Sequence, residues 1–166
     1  MDDRIRRLLS NDEPTAYAET ESWLRTLPRA EAVSAVGAMC TDPEAKIRAT
    51  VATIAGQHFQ EVVERAVVPL LDDSQGFVRW AACEAALWAR CTGAAPLLTR
   101  LVAADPEPTV RNMAALAAGA VGDLSVVPAL RAAAAAESGK DHEGRSIRDV
   151  ILSSIAQISR RHSGRP

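Results

Sequence analysis

The chain has 166 residues, of which 48% are hydrophobic and only 4% aromatic, and its formal net charge is −2. A core with so few aromatic side chains must be filled by Ala, Leu, Val and Ile, which favours closely packed helices over a β-sandwich. A net charge of −2 gives no overall positive field that would attract nucleic acid. No apolar run is close to the length of about 20 residues that a membrane-spanning helix needs.

The first 41 residues are predicted to form a divergent, helical N-terminal cap. Residues 1–10 form a short extra helix, and residues 15–27 and 29–40 form a helix pair interrupted at Pro28. The acidic N-terminus lacks the continuous apolar segment of a signal peptide. Tyr17 and Trp23 lie in the helix pair, and we expect both side chains to pack in the core.

From residue 42 onward a β-branched residue followed by Arg recurs, at intervals of 31, 32 and 37 residues. Each occurrence follows an acidic turn and begins a run of small or apolar residues at helical spacing, which indicates stacked helical repeats. We expect the four arginines to pair with acids or helix-end carbonyls of neighbouring repeats, forming a ladder rather than a phosphate-binding row. They are Arg48, Arg79, Arg111 and Arg148.

The clearest repeat spans residues 105–135. Asp105 is predicted to cap the first helix, with Pro106 tolerated in the first turn. Small and apolar residues then recur at steps of three and four, which gives one buried stripe. Gly122 ends this helix, and Pro128 lies in the first turn of the second.

The other repeats depart from this frame at specific places. Pro69 falls inside the second helix of its repeat, where it predicts a kink or an early end. The last repeat is predicted to keep its first helix, over residues 146–158, and to fray over 159–166. Residues 137–145 are rich in loop-forming residues and predict a flexible surface loop.

The order of acid, Val-Arg, alanine-rich helix, Gly-Asp and Val-Pro-x-Leu resembles HEAT repeats. It is most similar to the HEAT-like subtype first known from phycobilisome lyases. The resemblance is best over residues 105–135 and extends over 42–104. It implies an all-α fold, a right-handed α–α superhelix (a HEAT-like solenoid) of about four to five helix pairs. Residues 1–166 then form a single domain whose repeats occupy residues 42–158.

The cysteines predict no catalytic site. Cys40 and Cys83 lie at core-facing positions, and Cys91 lies at a helix end, with no histidine nearby in sequence to act as a base. Three cysteines without CxxC spacing indicate reduced thiols in a cytoplasmic protein.

The resemblance also provides no cofactor site. The bilin lyases offer no attachment residue that matches a position of this chain. Relatives of the deoxyhypusine hydroxylase type bind iron through several His-Glu pairs, whereas this chain has one, His142-Glu143, in a loop. A metal site needs several converging ligands, so we expect no metal and no cofactor.

Two tryptophans occupy positions that should face solvent. In the clearest repeat, the outward positions after the repeat arginine are Asn112, Leu116 and Ala120. Their equivalents one repeat earlier are Trp80, Glu84 and Trp88. Exposed tryptophan is typical of protein interfaces. With Phe77 in the preceding turn, the predicted partner-binding residues are Phe77, Trp80, Glu84, Trp88 and Leu116. The alternative is that one indole packs against a neighbouring helix.

The sequence therefore predicts a non-catalytic protein–protein interaction module, a bacterial-type cytoplasmic adaptor or regulatory scaffold that is not an enzyme. Self-association through Trp80 and Trp88 is a variant of this prediction. One alternative, implied by the resemblance, is an accessory subunit or enzyme of the bilin-lyase type. A second is a nucleic-acid-binding solenoid using a basic strip of Arg65, Arg100 and Arg131, against which the sequence pI of about 5.9 argues.

Overall fold

The computed structural model describes residues 3–11 and 15–163, which are helical apart from turns and one isolated bridge between Lys140 and Ser146. The prediction of an all-α fold is therefore confirmed. Contacts between Cα atoms divide the chain into two compact units, with the division between Ala85 and Ala86. In the described ranges, no helix combines the length and the apolar character needed to cross a membrane.

The first unit contains a short N-terminal helix, a helix pair, a long helix and an irregular helical segment. Helices α2 and α3 contact each other and α4, and α1 contacts α2 and α4. Pro28 separates α2 from α3, as predicted. The bounds are α1 (Asp3–Ser10), α2 (Ala16–Thr26), α3 (Arg29–Met39), α4 (Ala45–His58), α5 (Gln60–Val62) and α6 (Gly76–Trp88), which belongs to this unit through Ala85.

The predicted effect of Pro69 is confirmed. The segment after α5 widens to a π-helix over Val63–Val67 and then tightens to a 3₁₀-helix over Val68–Asp72. Pro69 has no N–H to donate to the carbonyl of Arg65, and its ring would collide with that carbonyl in a regular α-helix. The apolar side chains remain on one side, and Val63, Val67 and Leu71 are fully buried.

The second unit contains three further helices of the repeat pattern and the last long helix. Helix α8 packs against α7 and α10, and α9 also packs against α7 and α10. Single 3₁₀ turns precede α7 and α9, so each second helix begins with a tight turn. The bounds are α7 (Ala95–Ala104), α8 (Pro108–Val121), α9 (Val127–Ala136) and α10 (Ile147–Ser163).

The start of α8 corrects one prediction. Asp105 is not the N-cap, because the helix begins at Pro108 and Glu107 occupies the cap position, where its side chain makes no capping hydrogen bond to the helix. The Asp105 carboxylate instead accepts the backbone N–H of Glu107 at 2.9 Å, which closes the turn before the helix. Pro108, rather than Pro106, takes the first-turn position that needs no N–H donor.

The end of α8 agrees with the prediction but has a different cause. The helix ends at Val121, and Gly122 follows with φ −70°, an angle open to any residue. Glycine is needed there for space, because a Cβ would lie 2.6 Å from the carbonyl oxygen of Ala118 and 2.8 Å from Cγ2 of Val126. Pro128 lies in the first turn of α9, as predicted.

The predicted fraying from residue 159 is wrong, because α10 continues to Ser163. The Arg161 guanidinium donates to the carbonyl oxygens of Gly119 at 3.1 Å, Ala120 at 2.9 Å, and Gly122. These are carbonyls that the end of α8 leaves without helical partners. The contact anchors the last turns of α10; the rest of the predicted tail, residues 164–166, lies outside the described residues.

Candidate functional site

The repeated arginines are structural in the first unit. Nη1 of Arg48 donates to the carbonyl oxygens of Asp42 at 2.8 Å and Pro43 at 3.0 Å, in the turn before its own helix. Its Nε and Nη2 donate to the two carboxylate oxygens of Asp73 at 2.7 and 2.9 Å. Burial acts to raise the pKa of Asp73, but the bonds from Arg48 and the Gln75 amide outweigh burial, and the pKa is lowered.

The same geometry recurs in the second unit. Nη1 of Arg111 donates to the carbonyl oxygen of Asp105 at 2.9 Å, and its Nε donates to Glu137 at 2.6 Å. The Arg111 bond is the main cause of the lowered pKa of Glu137. Arg79, in the first unit, donates to the carbonyl of Asp73 at 2.9 Å, in the turn before its own helix. The prediction of contacts to an acid of a neighbouring repeat is confirmed for Arg48 with Asp73 and for Arg111 with Glu137, whereas Arg148 is exposed.

Three of the predicted partner-binding residues lie in the first unit, on α6. Phe77 is 48% exposed, whereas Trp80 and Glu84 are each partly buried. Burial raises the pKa of the Glu84 carboxylate above its ordinary value. The Thr53 hydroxyl of α4 donates to this carboxylate, and this bond offsets part of the rise in pKa.

Tyr17 lies in the same region of the first unit as Glu84, and the sequence did not predict this proximity. The expectation that Tyr17 and Trp23 pack in the core is wrong, because both are partly exposed. The Tyr17 hydroxyl donates to Oε1 of Gln57 at 2.6 Å. Its pKa is raised by burial and by the negative charges of Glu21 and Glu84. Because its hydroxyl is hydrogen-bonded, the Tyr17 side chain can lie at the surface with its ring partly exposed.

The other two predicted partner-binding residues lie in the second unit. Trp88 is 38% exposed and Leu116 is 42% exposed. Asn112, which was also predicted to face solvent, is only 7% exposed, so that prediction is wrong. The cause is the loop that follows α9: Nδ2 of Asn112 donates to Asp141 of that loop at 3.0 Å. Oδ1 of Asn112 is buried and has no hydrogen-bond partner in the described part of the chain.

This loop is folded around a buried aspartate, contrary to the prediction of a flexible excursion. Besides Asn112, the Asp141 carboxylate accepts the backbone N–H groups of Glu143 and Arg145, each at 2.9 Å, and Nε of Arg145 at 2.7 Å. Burial acts to raise the pKa of Asp141, but these bonds outweigh it and the pKa is lowered. At the start of the loop, the Gly139 amide donates to Glu137 at 2.7 Å.

The thiols lie as predicted. Cys40 and Cys83 are buried, and Cys91 is partly exposed. Burial raises the pKa of Cys40 to about 12, which disfavours the reactive thiolate.

The remaining predicted polar residues are on the surface. Arg65 in the first unit and Arg100 and Arg131 in the second are exposed, and the basic strip stays a prediction. His142 and Glu143 are exposed in their loop, with 3.7 Å between His142 Nε2 and Glu143 Oε1. Over residues 3–11 and 15–163, no group of three or more His, Cys, Asp or Glu side chains is placed to hold a metal ion.

Comparison with known proteins agrees with this arrangement. The family of HEAT repeats matches residues 63–148, a range that covers more than half of the chain. A search of curated proteins finds no match. The matched range contains three of the repeat arginines, two of which, Arg79 and Arg111, hold the turns before their own helices. The chain therefore belongs to the HEAT-repeat family.

Proposed function

We propose that this protein is a non-catalytic protein-interaction module, acting as a cytoplasmic adaptor or regulatory scaffold. HEAT repeats are commonly protein-interaction scaffolds. The observation that carries the proposal is the exposure of large apolar side chains on helix faces, where Trp88 is 38% and Leu116 is 42% exposed. Rigid helices that already hold such side chains lose little entropy on association.

Two observations support this proposal over catalysis. The carboxylates of Asp73 and Glu137, whose pKa values are lowered, are engaged by the repeat arginines Arg48 and Arg111. The Cys40 thiol is buried and its pKa is about 12.

Affinity capture from lysate of the source organism, quantified by mass spectrometry, tests this function. We expect the wild-type chain to retain a specific protein that Leu116→Gln and Trp88→Gln lose. Leu124→Gln is the matched control, because Leu124 is an equally large apolar residue of the second unit, 53% exposed, outside the predicted set.

Circular dichroism melting of each variant separates a binding defect from a folding defect. Since Leu116 is on the surface, Leu116→Gln should change the free energy of unfolding by about 1 kcal/mol or less. The proposal fails if wild-type chain retains no protein specifically. It also fails if all three variants retain the same protein equally well.

A further inference from the structure

Glu84 differs from two ion-paired acids of the first unit, Asp73 and Glu61. The Asp73 carboxylate pairs with Arg48 and that of Glu61 pairs with Arg29, and both acids have lowered pKa values. Glu84 accepts from the neutral hydroxyl of Thr53, and no ion pair of Glu84 is present within residues 3–11 and 15–163. Its negative charge is therefore partly removed from water without a neighbouring cation to offset it.

Aromatic side chains lie beside this carboxylate. Trp80 precedes Glu84 by one helical turn, so the two side chains are neighbours on the surface of α6. Thr53, which donates to Glu84, and Gln57, which binds the Tyr17 hydroxyl of α2, lie one helical turn apart on α4. Burial, and then the charges of Glu21 and Glu84, raise the pKa of the Tyr17 phenol. Gln57 holds the Tyr17 hydroxyl through a 2.6 Å hydrogen bond, which fixes the position of the ring. Trp80 and Tyr17 are both partly exposed.

A partly exposed carboxylate beside aromatic side chains has the chemistry of a site for an organic cation. The faces of Trp and Tyr attract Lys and Arg side chains, and the attraction grows as the cation loses water. Arg29 already shows this mode within the first unit, with its guanidinium carbon 4.4 Å from the centre of the Phe59 ring while it pairs with Glu61. A lone carboxylate is too few ligands for a metal ion.

We infer that Glu84, with Trp80 and Tyr17 beside it, receives a Lys or Arg side chain from the bound protein partner. The incoming cation supplies the counter-charge that residues 3–11 and 15–163 do not provide. This inference rests on the proposed function, and it narrows the partner to a protein that presents a basic side chain on its contact surface.

Isotope-labelled protein titrated with hexa-arginine at low salt tests this inference, with hexa-citrulline as the uncharged probe of nearly identical shape. The signal is the indole N–H resonance of Trp80, assigned with Trp80→Phe. We expect hexa-arginine to shift this resonance and hexa-citrulline to leave it unchanged. Glu84→Gln, which keeps an acceptor for Thr53, should weaken hexa-arginine binding about five-fold or more.

Glu64→Gln is the matched control, because Glu64 is an exposed acid of the same unit. It should bind hexa-arginine within about two-fold of wild type, since a single surface charge contributes little. Removing the buried charge should leave the thermal midpoint of Glu84→Gln at or above that of wild type. The inference is overturned if Glu84→Gln binds like wild type, if both variants weaken equally, or if hexa-citrulline shifts Trp80 to the same extent.

The capture experiment distinguishes failure here from failure of the proposed function. If Leu116→Gln loses the captured protein and Glu84→Gln retains it, the chain is an interaction module and the cation site is refuted. If Glu84→Gln also loses it, and the loss is reproduced by citrulline substitution of the partner's contact arginine, the cation site is supported.

Discussion

The close approach of α4 and α6 at Gly56 makes Gly56→Ala a direct test of the packing in the first unit. Gly56 lies in α4, and a Cβ added there would meet three atoms of Ala85 in α6: Cα at 2.5 Å, Cβ at 2.8 Å and the carbonyl oxygen at 3.1 Å. Non-bonded carbon atoms are normally separated by about 3.5–4.0 Å. The two helices would therefore have to move apart by roughly 1 Å.

The expected loss of stability follows from two opposing effects. Overpacking a well-filled core costs about 1–3 kcal/mol, and the upper part of that range applies because two of the three atoms belong to the backbone and cannot rotate away. Replacing glycine by alanine in a helix interior gains about 1 kcal/mol. We expect Gly56→Ala to destabilise the protein by about 1–2 kcal/mol, which lowers the thermal midpoint by about 2–8 °C.

Gly37→Ala is the matched control. Gly37 lies in the interior of α3, in the same unit, and a Cβ there would meet nothing within 4 Å. It should gain about 0.5–1 kcal/mol from helix propensity alone. Both variants are compared with wild type by urea unfolding and by thermal melting at 222 nm. If Gly56→Ala proves as stable as Gly37→Ala, the close contact between α4 and α6 is wrong.

Three further predictions concern the ladder, acid stability and the thiols. Arg111→Gln removes a largely buried partner of Glu137 and should lower the free energy of unfolding, measured with urea, by about 2 kcal/mol. Arg148→Gln, at an exposed arginine, should change it by no more than about 0.5 kcal/mol. Equal urea midpoints for the two variants would refute a structural role of the repeat arginines. The pKa values of Asp73 and Glu137 lie below their ordinary values of 3.8 and 4.5. Their contribution is therefore complete above those values and is lost as pH falls through the lower folded ones, so the thermal midpoint should drop below about pH 4; an unchanged midpoint at pH 2 would contradict this. A thiol reagent at pH 8 should label one cysteine rapidly, and Cys91→Ser should abolish that reaction; rapid labelling of three thiols would show that the buried two are accessible.

The repeats could be predicted from the sequence because three of the four repeat arginines, Arg48, Arg79 and Arg111, have the same local geometry. An arginine that holds the carbonyls five and six residues before it requires an acidic turn at a fixed distance, as at Arg48 with Asp42 and Pro43. The arginine must also come directly after a buried β-branched residue, such as Ile47, so that its side chain points at that turn. Such short-range requirements recur in sequence, so the helix order and the Pro69 irregularity were predictable.

Features set by contacts distant in sequence were not predictable. Tyr17 is fixed by Gln57, forty residues later, and Arg161 anchors α10 by reaching carbonyls about forty residues earlier. Neither pair has a spacing that a repeat pattern would reveal. Glu84 was singled out by its position between tryptophans in the sequence. That no cation of the described part of the chain pairs with its carboxylate became visible only with the side chains of α2 and α4 in place.

The burial of Asn112 shows how the length of the loop between two repeats controls which side chains are exposed on the repeat. Asn112 and Trp80 each follow a repeat arginine directly, yet Asn112 is buried and Trp80 is partly exposed. The interval between repeat arginines that contains Asn112 is 37 residues, against 31 and 32 elsewhere. The extra residues form the loop whose Asp141 binds Asn112. In the two repeats with shorter intervals, the residues that directly follow Arg48 and Arg79, which are Ala49 and Trp80, are partly exposed. The spacing between repeat arginines therefore also predicts in which repeat a loop of the chain buries the residue that follows the arginine.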